Sequence, residues 1–532
     1  MRKEGGEVPS NMELFAPNTP LDSQKESTKV LNESALSNEP AQIGSSDAEV
    51  LSLLYRGFRS RFVWKNGVVG SQAVCTAAHE ESISWINFFL DLLYVAVISN
   101  VSIILTSCEL NARTIAVVFA VTTALYKFRL MIDEYSIRFY QDDLFHRTLY
   151  FIYIMGIYFM GANISNLYNS GTIVSAHRLL AGDAGDRAHC YIDHHYYNPF
   201  AIGFVMCNVS ILIIYCVAFF HDASGKVTEQ YFYRAMLLFT SMVIMAVSMH
   251  GFGEETQIAL LVAAPEIELA VPILVVFCRK YLHYTGTIGI NNYPVNYLIS
   301  QERLGIYILL FLGEGVILSM EQALDHSDYN YIYSIASMLL IFLLGVQYFD
   351  RVQRKEGEVH ACRRHLFWGL VFLQVGHRFL AFALLFVTTG ISDHSSSGGL
   401  ILSVGCGFST LIMVLMRMLH KGIEHKFSSP KRMIYMLVEL VVCAAHFLVI
   451  LADGHHVSHG DRIVMHACIT LFYVIFDTFG AVHTVLFYNK AHQGPRVQLH
   501  LAHSLSRSID KPPQEVESDQ SEAQEVGRIT LD

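Results

Sequence analysis

The sequence predicts an all-α membrane protein: a polytopic bundle of about twelve transmembrane helices that allows a division into two six-helix halves. Three observations predict it. Apolar runs of spanning length recur from residue 84 onward, and about 20 residues rising about 1.5 Å each cross a bilayer core. Of 532 residues, 52% are hydrophobic and only 16% charged, whereas soluble domains carry about 25% charge. Lysine and arginine then gather on alternate loops, the asymmetry that orients membrane proteins.

The first run, SWINFFLDLLYVAVISNVSIIL at 84–105, holds one carboxylate, Asp91. Further runs begin near Arg113, Thr148, Pro199, Tyr231, Ile258, Leu304, Tyr331, Leu366, Leu400, Met433 and Ile463. The sixth is the least regular. Within LLVAAPEIELAVPIL at 260–274, Pro265 and Pro272 each remove a backbone hydrogen bond and are expected to kink or break the helix. The seventh sets Glu314 between Gly313 and Gly315, small residues that let another backbone come close.

The even-numbered loops hold 19 lysines and arginines, among them Lys127, Arg129, Arg147, Arg234, Arg303 and Arg417; the odd loops hold four. Even loops and both termini are therefore expected in the cytoplasm, with plasma membrane and endomembrane equally open. HRTLYF at 146–151 and RRHLFW at 363–368 open the third and ninth helices, as two parallel halves would. Residues 1–50 and 491–532 read as disordered cytoplasmic tails flanking a transmembrane domain at 84–490. The basic stretch 51–83 suits either an amphipathic juxtamembrane helix or a linker. With no apolar run before residue 50, the first spanning helix is expected to target the chain.

A net charge of −10 gives no sign of a nucleic-acid partner. The ten cysteines form no CxxC pair and read mostly as small hydrophobes. Cys108 and Cys190 could meet on the outer face as a disulfide, the less favoured reading. P-loop and GxSxG motifs are missing, so ATP-driven transport and serine hydrolysis lack support.

Six carboxylates fall within the spans: Asp91, Glu266, Glu268, Glu314, Glu439 and Asp477. One arginine, Arg378, is expected at similar depth, with His377, His446 and His483 as neighbours that can titrate. A lone charge at mid-bilayer costs at least about 2.5–3.5 kcal/mol, so these groups must pair, protonate or face water. The surplus of acid points to carboxylates that carry protons or bind a cation. Glu314, Asp91 and Arg378 are the expected centre, with Asp477, Glu266 and Glu268 secondary. Arg378 is expected to pair with Glu314 or Asp477, and Asp91 to cap a helix or bind Arg147. Glu266 and Glu268 either occupy a broken helix or, the favoured reading, lie at the outer surface. The bland alternative for each is a static salt bridge or a helix cap.

A second constellation comprises His189, Asp193, His194 and His195 in the third loop and His455, His456, His459 and Asp461 in the eleventh. Such side chains can ligate zinc or sense acid pH, although no fixed zinc spacing is met.

Three motifs carry a resemblance. FFLDLLYVAVI at 88–98, QDDLFHR at 141–147 and QERLGIYILLFLGEGVI at 301–317 are similar, in order and spacing, to ELFFDLVFV, DTDDLVHR and AERFGLFVIIVLGES of the bacterial low temperature requirement A family. RHLFWGLVFLQVG at 364–376 is similar to a later family segment. The resemblance covers about 80–490 and implies a multispanning fold, with motif residues Asp91, Asp142, Asp143, His146, Arg147, Glu302, Arg303, Gly313 and Glu314. It implies no substrate, because the family has no settled activity. The chain departs from the pattern at three places. Ile86 or Asn87 replaces the glutamate of ELFF, Gly315 the serine of LGES, and Ile299 or Ser300 a histidine upstream of ER.

The favoured function is a proton-linked transporter or channel-like protein that sits in the lipid bilayer and moves an unknown small solute or ion. An enzyme acting on lipid with zinc at the outer histidines is the alternative, as is a non-catalytic scaffold or receptor. An oligomer is compatible with each.

Overall fold

The computed structural model describes residues 85–138, 144–169, 190–221, 228–250, 252–281, 297–323, 328–351, 366–393, 396–421, 430–451 and 457–492. The expected tails, apart from residues 491 and 492 at the end of the last helix, the 51–83 segment and the loop residues Asp142, Asp143, His189, His455 and His456 fall outside these.

Twelve long helical segments form the described fold. They are α1 (Trp85–Ser107), α2 (Ala112–Arg138), α3 (Leu144–Leu167), α4 (His194–His221), α5 (Thr228–Ser248), α6 (Glu254–Tyr281), α7 (Tyr297–Ala323), α8 (Asp328–Arg351), α9, α10 (Ser396–Lys421), α11 (Pro430–Leu448) and α12 (His459–His492). Helix α9 has three parts: an α-helical turn Leu366–Leu370, a π-helical segment Val371–Gly376, and an α-helix His377–Ser392. Among the described residues eleven spans are long and apolar enough to cross a membrane, and α5 holds a shorter apolar stretch, Phe232–Ser248. Helix is the natural outcome here, since hydrocarbon offers a backbone no outside partner. Large apolar side chains such as Leu92, Phe151, Ile335, Phe342, Leu437 and Phe479 point outward. Lipid would cover such a surface; water would not.

Three helix starts after odd-numbered loops, those of α2, α4 and α12, carry side-chain caps. The Asn111 side chain accepts from the Thr114 amide (2.9 Å), Asp193 from the His195 amide (2.9 Å) and Ser458 from the Asp461 amide (3.1 Å). On the same side Tyr168–Asn169 (β1) pairs antiparallel with Tyr191–Ile192 (β2). Cys108 and Cys190 lie with their Cα atoms 5.7 Å apart and are joined as a disulfide. The favoured reading of both as small hydrophobes is therefore corrected: the disulfide ties Cys190, just before α4, to the end of α1.

Helix packing repeats. The close pairs α1–α3, α2–α6, α3–α4, α4–α5 and α5–α6 recur as α7–α9, α8–α12, α9–α10, α10–α11 and α11–α12. The two tightest pairs use glycine. A Cβ on Gly156 (α3) would lie 2.8 Å from the Gly203 carbonyl oxygen on α4, and one on Gly405 (α10) 2.6 Å from the Val387 amide on α9. Only glycine lets the backbones approach so closely. The halves meet mainly where α1 and α2 pack on α7 and α9.

Two sequence expectations are corrected by this fold. Helix α6 runs unbroken from Glu254 through Pro265 and Pro272, so Glu266 and Glu268 lie about three turns inside it, away from the outer surface. Lys127, Arg129, Arg234 and Arg417 lie in helices and pair with carboxylates inside the bundle, so they do not count as cytoplasmic loop residues. Helix α2 extends to Arg138 because Phe128, Leu130, Met131, Ile132, Tyr135 and Ile137 keep its far end apolar and buried.

Candidate functional site

Helix α2 is the most deeply buried span, with 83% of its apolar window inside the protein. Its charges are consequently paired across the bundle. Lys127 forms an ion pair with Glu268 of α6, both side chains fully buried. Lys127 Nζ also donates to Asn208 Oδ1 of α4 (2.8 Å) and Ser241 Oγ of α5 (3.3 Å). Arg129 is shared by two carboxylates, Asp91 of α1 at 2.7 Å and Asp133 one turn on at 2.8 Å. Arg234 of α5 pairs with Glu134. Asp91 thus binds Arg129 rather than Arg147, which is exposed at the start of α3.

A further pair crosses between the halves. Arg378, the second residue after the π segment of α9, donates to Glu266 Oε1 of α6 at 2.5 Å. Its guanidinium lies over the rings of Phe119 on α2 and Phe379, 5.5 and 5.0 Å from their centres. The expected partners, Glu314 and Asp477, are replaced because α6 brings Glu266 to α9. Two residues apart on one helix, Glu266 and Glu268 point to nearly opposite sides. One reaches α9 and the other α2.

The π segment contributes acceptors. A widened turn frees backbone carbonyls from the regular helical pattern. Tyr126 of α2 donates its hydroxyl to the Leu373 carbonyl. The His377 ring is hydrogen bonded to the Phe372 carbonyl and the Tyr348 hydroxyl, both at 3.0 Å. Tyr94, Tyr126 and Tyr307 pack edge to face where α1, α2 and α7 meet, and Tyr94 shares a 2.8 Å hydrogen bond with Tyr153.

Glu314 is buried on α7. Beside it, a Cβ on Gly315 would meet Ile341 of α8 and Thr388 of α9 at 2.9 Å, while one on Gly313 would meet open space. Close approach thus involves side chains at Gly315 alone, not a second backbone at both glycines. Asp477 lies apart, sharing Arg417 of α10 (3.4 Å) with Glu439 of α11. Arg303, half-buried near the start of α7, faces the Asn87 side-chain amide of α1. Glu302 next to it is exposed. His146 is buried and bonded at 2.7 Å to Tyr135, tying α2 to α3.

The expected single deep arginine is corrected, among the described residues, to five cations that are buried or half-buried in ion pairs with carboxylates: Lys127, Arg129, Arg234, Arg378 and Arg417. Sequence reasoning missed four because a basic residue near the end of an apolar run was counted as loop. The unbroken apolar spacing of 128–137 was the available signal. Of the outer histidines, His194, His195 and His459 are described. His194 contacts Gln257 (3.2 Å), His195 is exposed, and His459 contacts the Ile391 carbonyl (3.3 Å). None of them belongs to a group of converging metal-ligand atoms among the described residues.

The profile of a family described as bacterial low temperature requirement A protein matches residues 82–495. This is most of the chain, and the chain belongs to that family. No curated protein and no solved structure matches it.

Proposed function

We propose that this family member is a proton-linked transporter or channel-like protein whose two six-helix halves move against each other across a gate formed by Glu266 and Arg378. One observation carries the reading. Among the ion pairs of the described residues, Glu266–Arg378 joins the halves, whereas the pairs of Lys127, Arg129, Arg234 and Arg417 close within one half. Interfaces between transporter repeats are where substrate and coupling-ion sites lie. Of the two glutamates on α6, Glu266 is the more open, with 24% of its side chain exposed, whereas Glu268 is fully enclosed. Protonating Glu266 would remove one charge of the gate and release α9. Lys127–Glu268 would meanwhile hold α6 to its own half. Asp91 and Glu314, also buried or half-buried on α1 and α7, are further carboxylates for the same path. Asp477 lies in a separate triad and is assigned no step.

The even loops and both termini face the cytoplasm in this reading. Without Lys127, Arg129, Arg234 and Arg417, fifteen basic residues still stand against four. The Cys108–Cys190 disulfide lies on the odd-loop side, as an oxidising exterior or lumen favours. The partners are the bilayer and a small solute or ion.

The test is proton flux into proteoliposomes under an imposed pH gradient. Wild-type flux above that of empty vesicles, lost in Glu266→Gln, is the expected result. Wild-type vesicles no leakier than empty ones would overturn the reading.

A further inference from the structure

The second half contains a polar cluster that the transport reading does not use. Cys406 of α10, His446 of α11 and His466 of α12 are all buried, and one ligand atom from each lies within 4.8 Å of the others. No other group of three His, Cys, Asp or Glu residues converges in this way among the described residues. The two imidazoles are stacked, with their Nδ1 atoms 2.9 Å apart. His466 Nε2 is hydrogen bonded to Ser403 Oγ at 2.9 Å.

The hydrogen bonds among these side chains leave one polar atom unserved. Two neutral imidazoles facing each other through Nδ1 can share one proton there, and Ser403 serves the far nitrogen of His466. His446 Nε2 is buried with no hydrogen-bond partner among the described residues. A polar atom left unsatisfied away from water is costly, and more so in hydrocarbon. The cluster therefore resembles a ligand set held ready more than a finished hydrogen-bond network. Ser403 would act as the outer partner that fixes the ring of a ligating histidine.

We infer that Cys406, His446 and His466 form an intramembrane binding site for one monovalent copper ion. Thiolate and imidazole are the ligands that soft first-row metals take, and one sulfur with two nitrogens makes a three-coordinate shell. Charge selects the ion. Loss of the Cys406 proton on binding leaves a thiolate, so Cu⁺ with two neutral histidines gives a complex of zero net charge. Zn²⁺ in the same shell would leave a net positive charge in a buried site, with the Arg462 cation already one turn away on α12. Binding releases one proton, from the thiol. The imidazole proton between the rings moves to the outer nitrogen of its ring, freeing both Nδ1 atoms for the metal.

The site is tested on the purified full chain by titrating Cu⁺ without oxygen against a chelator of known affinity. Zn²⁺ is titrated in parallel, and the bound metal is examined by X-ray absorption. The expected result is one tightly held Cu⁺ per chain, with one sulfur and two nitrogens in its first shell. Cys406→Ser changes a single atom and should weaken binding more than about a hundredfold, beyond the effect of losing an outer partner. Cys443→Ser and His459→Asn should bind as the wild type does. His466→Asn, checked for unchanged helical content, provides a second loss variant should the first fold poorly. Absence of copper binding, a shell without sulfur, or full binding by Cys406→Ser overturns the site. Stoichiometric zinc in place of copper overturns the ion assignment.

Discussion

The two halves share a packing scheme and differ in what they bury. In the first, α4, α5 and α6 surround a charged pair, Lys127–Glu268, tied by Asn208 and Ser241. In the second, α10, α11 and α12 enclose Cys406, His446 and His466, and a separate triad on the same helices pairs Arg417 with Glu439 and Asp477. Glycine and apolar surface set the helix arrangement in both. The polar side chains vary independently of it, so the same frame holds an ionic core on one side and a soft-ligand core on the other.

The comparison breaks most severely if the first-half ions are removed singly. Lys127→Met would leave Glu268 charged and alone, and losing one partner of a buried pair costs about 3–5 kcal/mol. Thermal unfolding in detergent should show a sharp drop, with most of it restored when Glu268→Gln is added. Equal instability of the single and double variants would mean that Lys127 acts through packing instead. Cys108→Ser tests the brace over the ends of α1 and α4, which the second half does not share among its described residues. A loss of about 2–4 kcal/mol is expected, with reductant giving the same shift to the wild type and none to the variant.

Much of this frame was legible in the sequence. Apolar runs marked all twelve helices, and their lengths placed Asp91 and Glu314 inside the bundle, whereas Glu266 was expected at the outer surface because Pro265 and Pro272 suggested a broken or late-starting helix. The partners were not legible. Arg378 and Glu266 lie 112 residues apart, and nothing local in either helix says which carboxylate will face which guanidinium. Lys127 and Arg129 were misplaced because loop counting ignores whether apolar spacing continues beyond a charge. The copper-type ligands escaped for a related reason. Cys406, His446 and His466 each stand on a different helix, so no spacing motif joins them.

Smaller changes sharpen the comparison. Gly156→Ala and Gly405→Ala insert one methyl into equivalent close crossings, and each should cost about 1–3 kcal/mol of thermal stability. Similar losses support a common frame; a large loss at one site and none at the other would separate the halves. Tyr94→Phe removes the hydroxyl bonded to Tyr153 and should cost about 0.5–1.5 kcal/mol, read from the same melts.

The central claim, that Glu266–Arg378 latches one half to the other, is tested most directly by a distance between them. Spin labels at Phe239 on α5 and Leu437 on α11, both exposed, report one half each. Pulsed electron resonance should give one narrow distance for the wild type at neutral pH. A second distance should grow in for Glu266→Gln and for the wild type under acid. The same narrow distribution in all three would contradict a latch and leave the pair a static bridge.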